Sequence, residues 1–288
     1  ARRAQALEEV ARQCRERGGE AIVVPTDVTD AEAVERLASA AVERFGRIDA
    51  WVNAAAVTAW GPFQDTPLAD VRRVLDVDVM GTVHGARAAL PVMRGQVRGV
   101  LVNVSSVLGA VPQPYGAAYS MAKFAVRALS GSLRQELRLS HVRRVKVCTV
   151  MPSTIDTPLF AHGANYTGRT VRALPPVYPA ELVAKAIVGL VRRPRREVIV
   201  GPAGRALRAQ ARLTPGLAEG ITATHVVLNL AGAEPVAATE GNLYRPAGGT
   251  GSVGGGWHGR RRTAIRQAVA AAAAVTALTF AWRRRSAA

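Results

Sequence analysis

Gly99-Val100-Leu101-Val102-Asn103-Val104-Ser105-Ser106 is followed by Tyr119-Ser120-Met121-Ala122-Lys123, with Tyr119 thirteen residues after Ser106. The first stretch is a short, almost unbroken apolar run that stops at two serines, the pattern of a strand buried on both faces. In the second, a spacing of four puts Tyr119 and Lys123 on one face of a helix. A serine at the mouth of the strand can then face the tyrosine. The chain has five tyrosines in 288 residues, and its lysines are Lys123, Lys146 and Lys185. Chance would give such a tyrosine–lysine pair roughly one time in twenty.

The three residue types suit one chemistry. A phenol titrates near ~10, so a tyrosine acting as a general base at neutral pH needs a neighbouring cation to favour its phenolate. Lys123 is placed to supply it. Ser106 can hydrogen-bond a carbonyl or carbinol oxygen and stabilise charge that develops there. The trio points to carbonyl/alcohol redox chemistry.

Outward from this centre the chain alternates helices and apolar strands. Leu7, Val10, Ala11 and Cys14 have helical spacing and stop at Gly18-Gly19, after which 21–25 reads as a short strand. Thr29-Asp30-Ala31-Glu32 reads as a capping box for a helix with the stripe Val34, Leu37, Ala38, Ala41 and Phe45. Ile48 to Asn53 is the next strand, and Thr66-Pro67 opens a long helix towards Met93. Val145 to Val150 is a buried strand. A loop over 153–178, a helix from Pro179 to Arg192 and a strand from Glu197 to Val200 complete the series. Such alternation predicts an α/β fold, a doubly wound parallel sheet covered on both faces.

Residues 201–259 read as an irregular extension ending in a glycine-rich linker, with Gly248-Gly249 and Gly254-Gly255-Gly256. In 260–288, arginines flank a sixteen-residue uncharged run from Gln267 to Trp282. As a helix it would extend about 24 Å, short of the roughly 30 Å hydrocarbon layer. It reads either as a membrane-surface anchor or as a poorly ordered or self-associating tail.

The formal charge is +17 and the pI near 11.3, with arginine as 35 of the 38 basic residues. Residues 1–200 carry 27 basic and 18 acidic groups, and 201–288 carry 11 and 3. The excess is densest in the tail, and the arginines of the first part fall on solvated helix faces, which argues against nucleic acid as a partner. Cys14 and Cys148 cannot make a disulfide framework, and 1–20 is not a continuous apolar leader. A cytoplasmic setting is expected, with membrane association through the C-terminus as its variant. The five histidines are scattered without metal-ligand spacing.

In order along the chain come Asp27-Val28-Thr29-Asp30, Asp49-Ala50-Trp51-Val52-Asn53-Ala54-Ala55-Ala56, Asn103-Val104-Ser105-Ser106, Tyr119 to Lys123, and Pro152 to Pro158. With these five motifs, residues 1–200 resemble the NAD(P)-dependent short-chain dehydrogenase/reductase family. The resemblance implies a Rossmann-like domain, a nicotinamide cofactor and a homo-oligomer. It implies catalytic roles for Ser106, Tyr119 and Lys123. Asp78 stands where the family usually has the asparagine of a water relay. The cofactor would meet Asp27 and Val28 at its adenine and Asn53, Ala54 and Ala55 at the adenosine ribose. Tyr119 and Lys123 would contact the nicotinamide ribose, and Pro152, Ile155 and Thr157 the nicotinamide amide. Arg2 could fork onto the 2′-phosphate of NADP, which favours NADP over NAD.

The family's strand and glycine-rich loop for the pyrophosphate are not matched, because the chain begins where the second strand would be ending. The expectation is therefore an N-terminally incomplete piece whose central strand has an unpaired edge. Apolar segments 57–63, 107–118 and 153–178 imply a lipophilic ketone or alcohol as substrate. A non-catalytic membrane-associated scaffold or regulator derived from the family is the alternative function, and a basic binder of nucleic acid or lipid surfaces a third.

Overall fold

The computed structural model describes residues 1–248 and 251–257. The elements in order are α1 (Ala4–Glu16), α2 (Ala31–Phe45), β1 (Ala50–Asn53), β2 (Ala59–Trp60) and α3 (Leu68–Leu75). A π-helical turn, Asp76–Met80, joins α3 to α4 (Gly81–Gly95). Then follow β3 (Gly99–Val104), α5 (Ala117–Leu139), β4 (Val145–Pro152), α6 (Leu159–His162), β5 (Ala164–Asn165), α7 (Ala180–Arg192), β6 (Glu197–Val200), α8 (Pro202–Leu213) and α9 (Pro215–Ala231). Residues 260–288, expected to be a basic-flanked apolar segment, lie outside the described residues. Among the described residues no helix is long and apolar enough to cross a membrane.

β1, β3, β4 and β6 form one parallel sheet in the order β1-β3-β4-β6, and β2 pairs with β5 in a two-stranded sheet. Because strand side chains alternate, β3 feeds two cores. Leu101, with Val145 and Val147 of β4, meets Ala38 of α2 and Ala86, Ala89 and Met93 of α4. Val100 and Val102, with Cys148 and Val150, meet Leu190 of α7 on the other face. A sheet buried on both sides explains the unbroken apolar runs that mark β3 and β4. Gly85 lets α4 lie close on β1: a Cβ there would stand 2.0 Å from Asn53 Oδ1.

Four local expectations are corrected. Residues 21–25 run extended but join no ladder, and their tie to the chain start is one bond, Thr26 N–H to the Ala1 carbonyl at 2.9 Å. Strand propensity without a neighbouring strand gives no strand. Asp30 rather than Thr29 caps α2, accepting from Ala33 N–H at 3.0 Å, while the Thr29 hydroxyl bonds Asp27. Helix α3 starts at Leu68 behind Pro67, and the Thr66 hydroxyl turns back to the Pro62 carbonyl. Finally, the irregular chain expected over 201–259 contains α8 and α9, and irregular chain begins only after Ala231.

Candidate active site

Parallel pairing brings the carboxyl ends of β1, β3 and β4 to one edge of the sheet, where Asn53, Asn103 and Thr149 stand in register. Asn53 Nδ2 donates to Asn103 Oδ1 at 2.9 Å, and Asn103 Nδ2 donates to Ser130 Oγ of α5 at 2.9 Å. This buried polar row locks the strands to α5 just below the site. The Asn53 side chain is thus spent on the scaffold, while Ala54, beyond it, lines a cavity.

That cavity has a volume of about 940 Å³ and brings together Ala54, Ser106, Tyr119, Lys123, Ile155 and Thr157. Ser106, the residue just before the 3₁₀ turn Val107–Gly109, accepts from Leu108 N–H at 3.1 Å and shares the cavity wall with Tyr119. Tyr119 and Lys123 share a face of α5, with Lys123 Nζ 5.1 Å from the centre of the tyrosine ring. Close contact of the 3₁₀ turn with α5 depends on Gly109, where a Cβ would meet the Lys123 carbonyl at 2.6 Å. The Ser105 hydroxyl donates to that same carbonyl at 2.8 Å.

Asp78 lies in the π-helical turn and is fully buried. One of its oxygens, Oδ2, is 2.9 Å from Lys123 Nζ, and the other accepts from Val57 N–H at 2.8 Å. A carboxylate here changes the electrostatics that the sequence suggested. Burial pushes the Tyr119 phenol up; Lys123 pulls it down, Asp78 pushes it up again, and the net is above the ordinary tyrosine value. Lys123 thus acts on Tyr119 in the expected direction, towards the phenolate, but burial together with Asp78 outweighs it. Burial, the largest single influence, works against charge on Lys123, yet Asp78 and Tyr119 together outweigh it and hold the lysine above its usual range.

The remaining positions fall into two groups. Pro152, Ile155 and Thr157 lie with the trio in the cavity wall. Asp27, Val28 and Arg2 lie away from it. Asp27 Oδ1 accepts from Thr29 N–H and Oγ1, and its Oδ2 pairs with Arg73 at 3.3 Å and Arg2 at 3.8 Å. Val28 packs beside Val77 and Leu243, and its carbonyl faces His84 Nδ1 at 2.8 Å. Ala55, next to Ala54, is exposed at the end of β1. The Arg2 fork is already used: it donates to the carbonyls of Tyr244 at 2.7 Å and Asn242 at 2.8 Å.

Sequence reading missed two parts of this site. Helices α8 and α9 wall the cavity through Leu207, Ile221, Val226 and Leu230. Pro202 after Gly201 and Pro215 after Thr214 were usable helix-start signals. The second part is a strap over residues 239–248 and 251–257. Leu243 is fully buried beside Val77 of the π turn, and Gly255 and Trp257 N–H donate to Asp156 at 2.8 and 2.9 Å. From Trp257 an aromatic series runs through Phe160 and Trp60 to Tyr119, at centroid separations of 6.2, 6.1 and 6.4 Å. No sequence signal marks the strap beyond its glycines.

A doubly wound sheet with a buried Ser-Tyr-Lys group at the carboxyl ends of its strands defines a nucleotide-dependent redox class. The family model for short chain dehydrogenases matches residues 1–165, and the chain belongs to that family. It is 35% identical over 223 residues to the uncharacterized oxidoreductase YxnA of Bacillus subtilis, covering 76% of this chain and 62% of YxnA. The chain thus spans less than two thirds of that relative. It is 35% identical to cis-4-hydroxycyclohexanecarboxylate dehydrogenase of Sinomonas cyclohexanicum, covering 66% of this chain and 72% of that one. Among solved structures it resembles a short chain dehydrogenase/reductase from Burkholderia phymatum in complex with NAD, with TM-score 0.67 and 27% identity over 74% of this chain and 82% of the other.

The cavity wall carries one feature that fits a nicotinamide cofactor. Asn242 Oδ1 is a buried acceptor in the cavity wall with no hydrogen-bond partner among the described residues, suited to a ligand rich in hydroxyl and amide donors.

Proposed function

We propose that the full-length protein is an NAD(P)-dependent oxidoreductase that interconverts a lipophilic ketone or aldehyde and its alcohol. The observation that carries this reading is Tyr119, with Ser106 beside it in the wall of the apolar cavity and Lys123 Nζ 5.1 Å from the centre of its ring. When bound, the nicotinamide supplies hydride transfer to or from the carbinol carbon. In reduction, Tyr119 Oη gives its proton to the substrate oxygen, and Ser106 Oγ donates a hydrogen bond to the same atom as negative charge grows on it. In oxidation, the Tyr119 oxygen takes the hydroxyl proton. Lys123 holds a positive charge beside that oxygen and stabilises its deprotonated form, and Asp78 holds Lys123 charged.

The cofactor would be held by Ala54 and Ala55 after β1, by Tyr119 and Lys123, and by Pro152, Ile155 and Thr157, with Asn53 bracing β1 from below. The adenine end would lie by Asp27 and Val28. NADP rather than NAD would be bound if Arg2 and Arg73, which now hold the carbonyls of residues 242–244 and Asp27, exchanged those partners for a 2′-phosphate. The relative named for cis-4-hydroxycyclohexanecarboxylate supports a secondary alcohol on an apolar ring that also bears a carboxylate. The family resemblance also supports a homo-oligomer acting on a small molecule in the cytoplasm.

Tyr119→Phe tests the reading. Turnover in the full-length variant should fall at least ~100-fold with the fold retained, measured by cofactor absorbance. Near-normal turnover would reject the assignment.

A further inference from the structure

The cavity's charge is lopsided. Among the described residues that line it there is no aspartate or glutamate, and its two permanent cations are Lys123 and Arg172. Lys123 is matched by Asp78 directly behind it. Arg172 is not matched: its guanidinium has no ion-pair or hydrogen-bond partner among the described residues, and it is exposed at the cavity rim. Its backbone is held in place, since its carbonyl accepts from Asn229 Nδ2 of α9 at 3.3 Å. Nearby, the Arg169 guanidinium donates to the Ala233 carbonyl at 3.1 Å, fastening the same loop to the end of α9. His225 of α9 also lines the cavity, one helical turn before Asn229.

An apolar cavity with a single uncompensated cation discriminates by charge. A neutral lipophile gains the walls alone. A carboxylate gains the walls and a charge-assisted, two-toothed partner, and meets no aspartate or glutamate among the described lining residues. An ammonium compound would meet only repulsion.

Resting on the oxidoreductase reading above, we infer that the substrate is an amphipathic acid: its carbonyl or carbinol lies at Tyr119, an apolar spacer fills the cavity, and a carboxylate pairs with Arg172. The spacer has a preferred length, because Arg172 sits on a fastened loop while Tyr119 sits on α5.

The test uses full-length protein and a homologous series of methyl-ketone carboxylic acids of increasing chain length, each with its methyl ester. For every pair two ratios are read: kcat/KM of acid over ester, and calorimetric affinity of acid over ester. At one chain length the acid should lead in both, and Arg172→Gln should lower both ratios about tenfold, the size of one partly solvated charge-assisted contact. Arg172→Lys, which keeps the charge, should keep most of the preference. Acid and ester used equally at every length, or ratios unchanged in Arg172→Gln, would overturn the inference. Because the affinity ratio needs no turnover, the two readings fail separately. Acid-selective binding lost in Arg172→Gln without any turnover leaves the carboxylate site standing and sinks the redox reading. Turnover indifferent to the carboxylate does the reverse.

Discussion

Asp78 occupies 0% of the molecular surface and meets a lysine that is 2% exposed, so neither charge has water to fall back on. Removing one member of such a pair leaves the other buried and uncompensated, at a cost of about 3–5 kcal/mol. The effect on Tyr119 has a defined sign. Its phenol lies above the ordinary value, with burial the largest cause and Asp78 a contributor. Alcohol oxidation needs the deprotonated oxygen, so its rate rises with pH through that value. Asp78→Asn deletes an anion beside Tyr119 but leaves Lys123 buried without the partner that keeps it charged, and Lys123 is the larger of the two influences on Tyr119. With the lysine neutral, the rise in alcohol oxidation and the alkaline fall in ketone reduction should both move to higher pH. Profiles of kcat in both directions check this, and a shift towards lower pH would contradict the charge argument.

At the scale of elements, Glu197 of β6 clamps two helices. Its carboxylate accepts from Arg127 Nε of α5 and from Arg208 Nη2 of α8, both at 2.8 Å. Burial raises its carboxyl, but the two guanidinium groups outweigh that and hold it below the usual glutamate value. A lowered carboxyl stabilises the fold above its unfolded pKa near ~4.3, and that contribution fades as pH falls through the folded value. Glu197→Gln should therefore cost about 1–3 kcal/mol at neutral pH. The gap from the parent protein should close on acidification, as thermal melts at stepped pH would show. The same clamp explains what sequence reading could and could not reach. Strands β3 and β4 and helix α5 are legible because each declares itself locally: an unbroken apolar run between turn signals, or a 3.6-residue stripe. Helix α8 docks through long-range arginine pairs, and α9 has apolar residues on every side, so no stripe betrays it. Segment 21–25 has strand-forming residues without a strand beside it. The trio was readable from spacing, whereas the π turn that aims Asp78 arises from packing between α3 and α5 and has no spacing of its own.

Across the whole molecule, the strap joins parts that sequence keeps far apart. Arg73 of α3 donates to the Leu243 carbonyl at 3.0 Å and also reaches Asp27, and Tyr244 donates to Asp70 Oδ1 at 2.8 Å. Leu243 sits at 0% exposure in the same core as Val77, one residue from Asp78. Leu243→Ala should cost about 2–5 kcal/mol, since the surrounding core is too well packed to collapse. It should also speed proteolytic cutting within the strap, and urea melts with limited proteolysis would read both. Arg2 grips carbonyls up to 242 residues further along the chain. During synthesis the sheet and α5 can assemble while the rest is still on the ribosome, but the core around Val77 stays open until Leu243 has emerged. A nascent chain would therefore carry Tyr119 and Lys123 for most of translation with the neighbouring core unfinished, a window in which chaperones, rather than small molecules, are the expected callers.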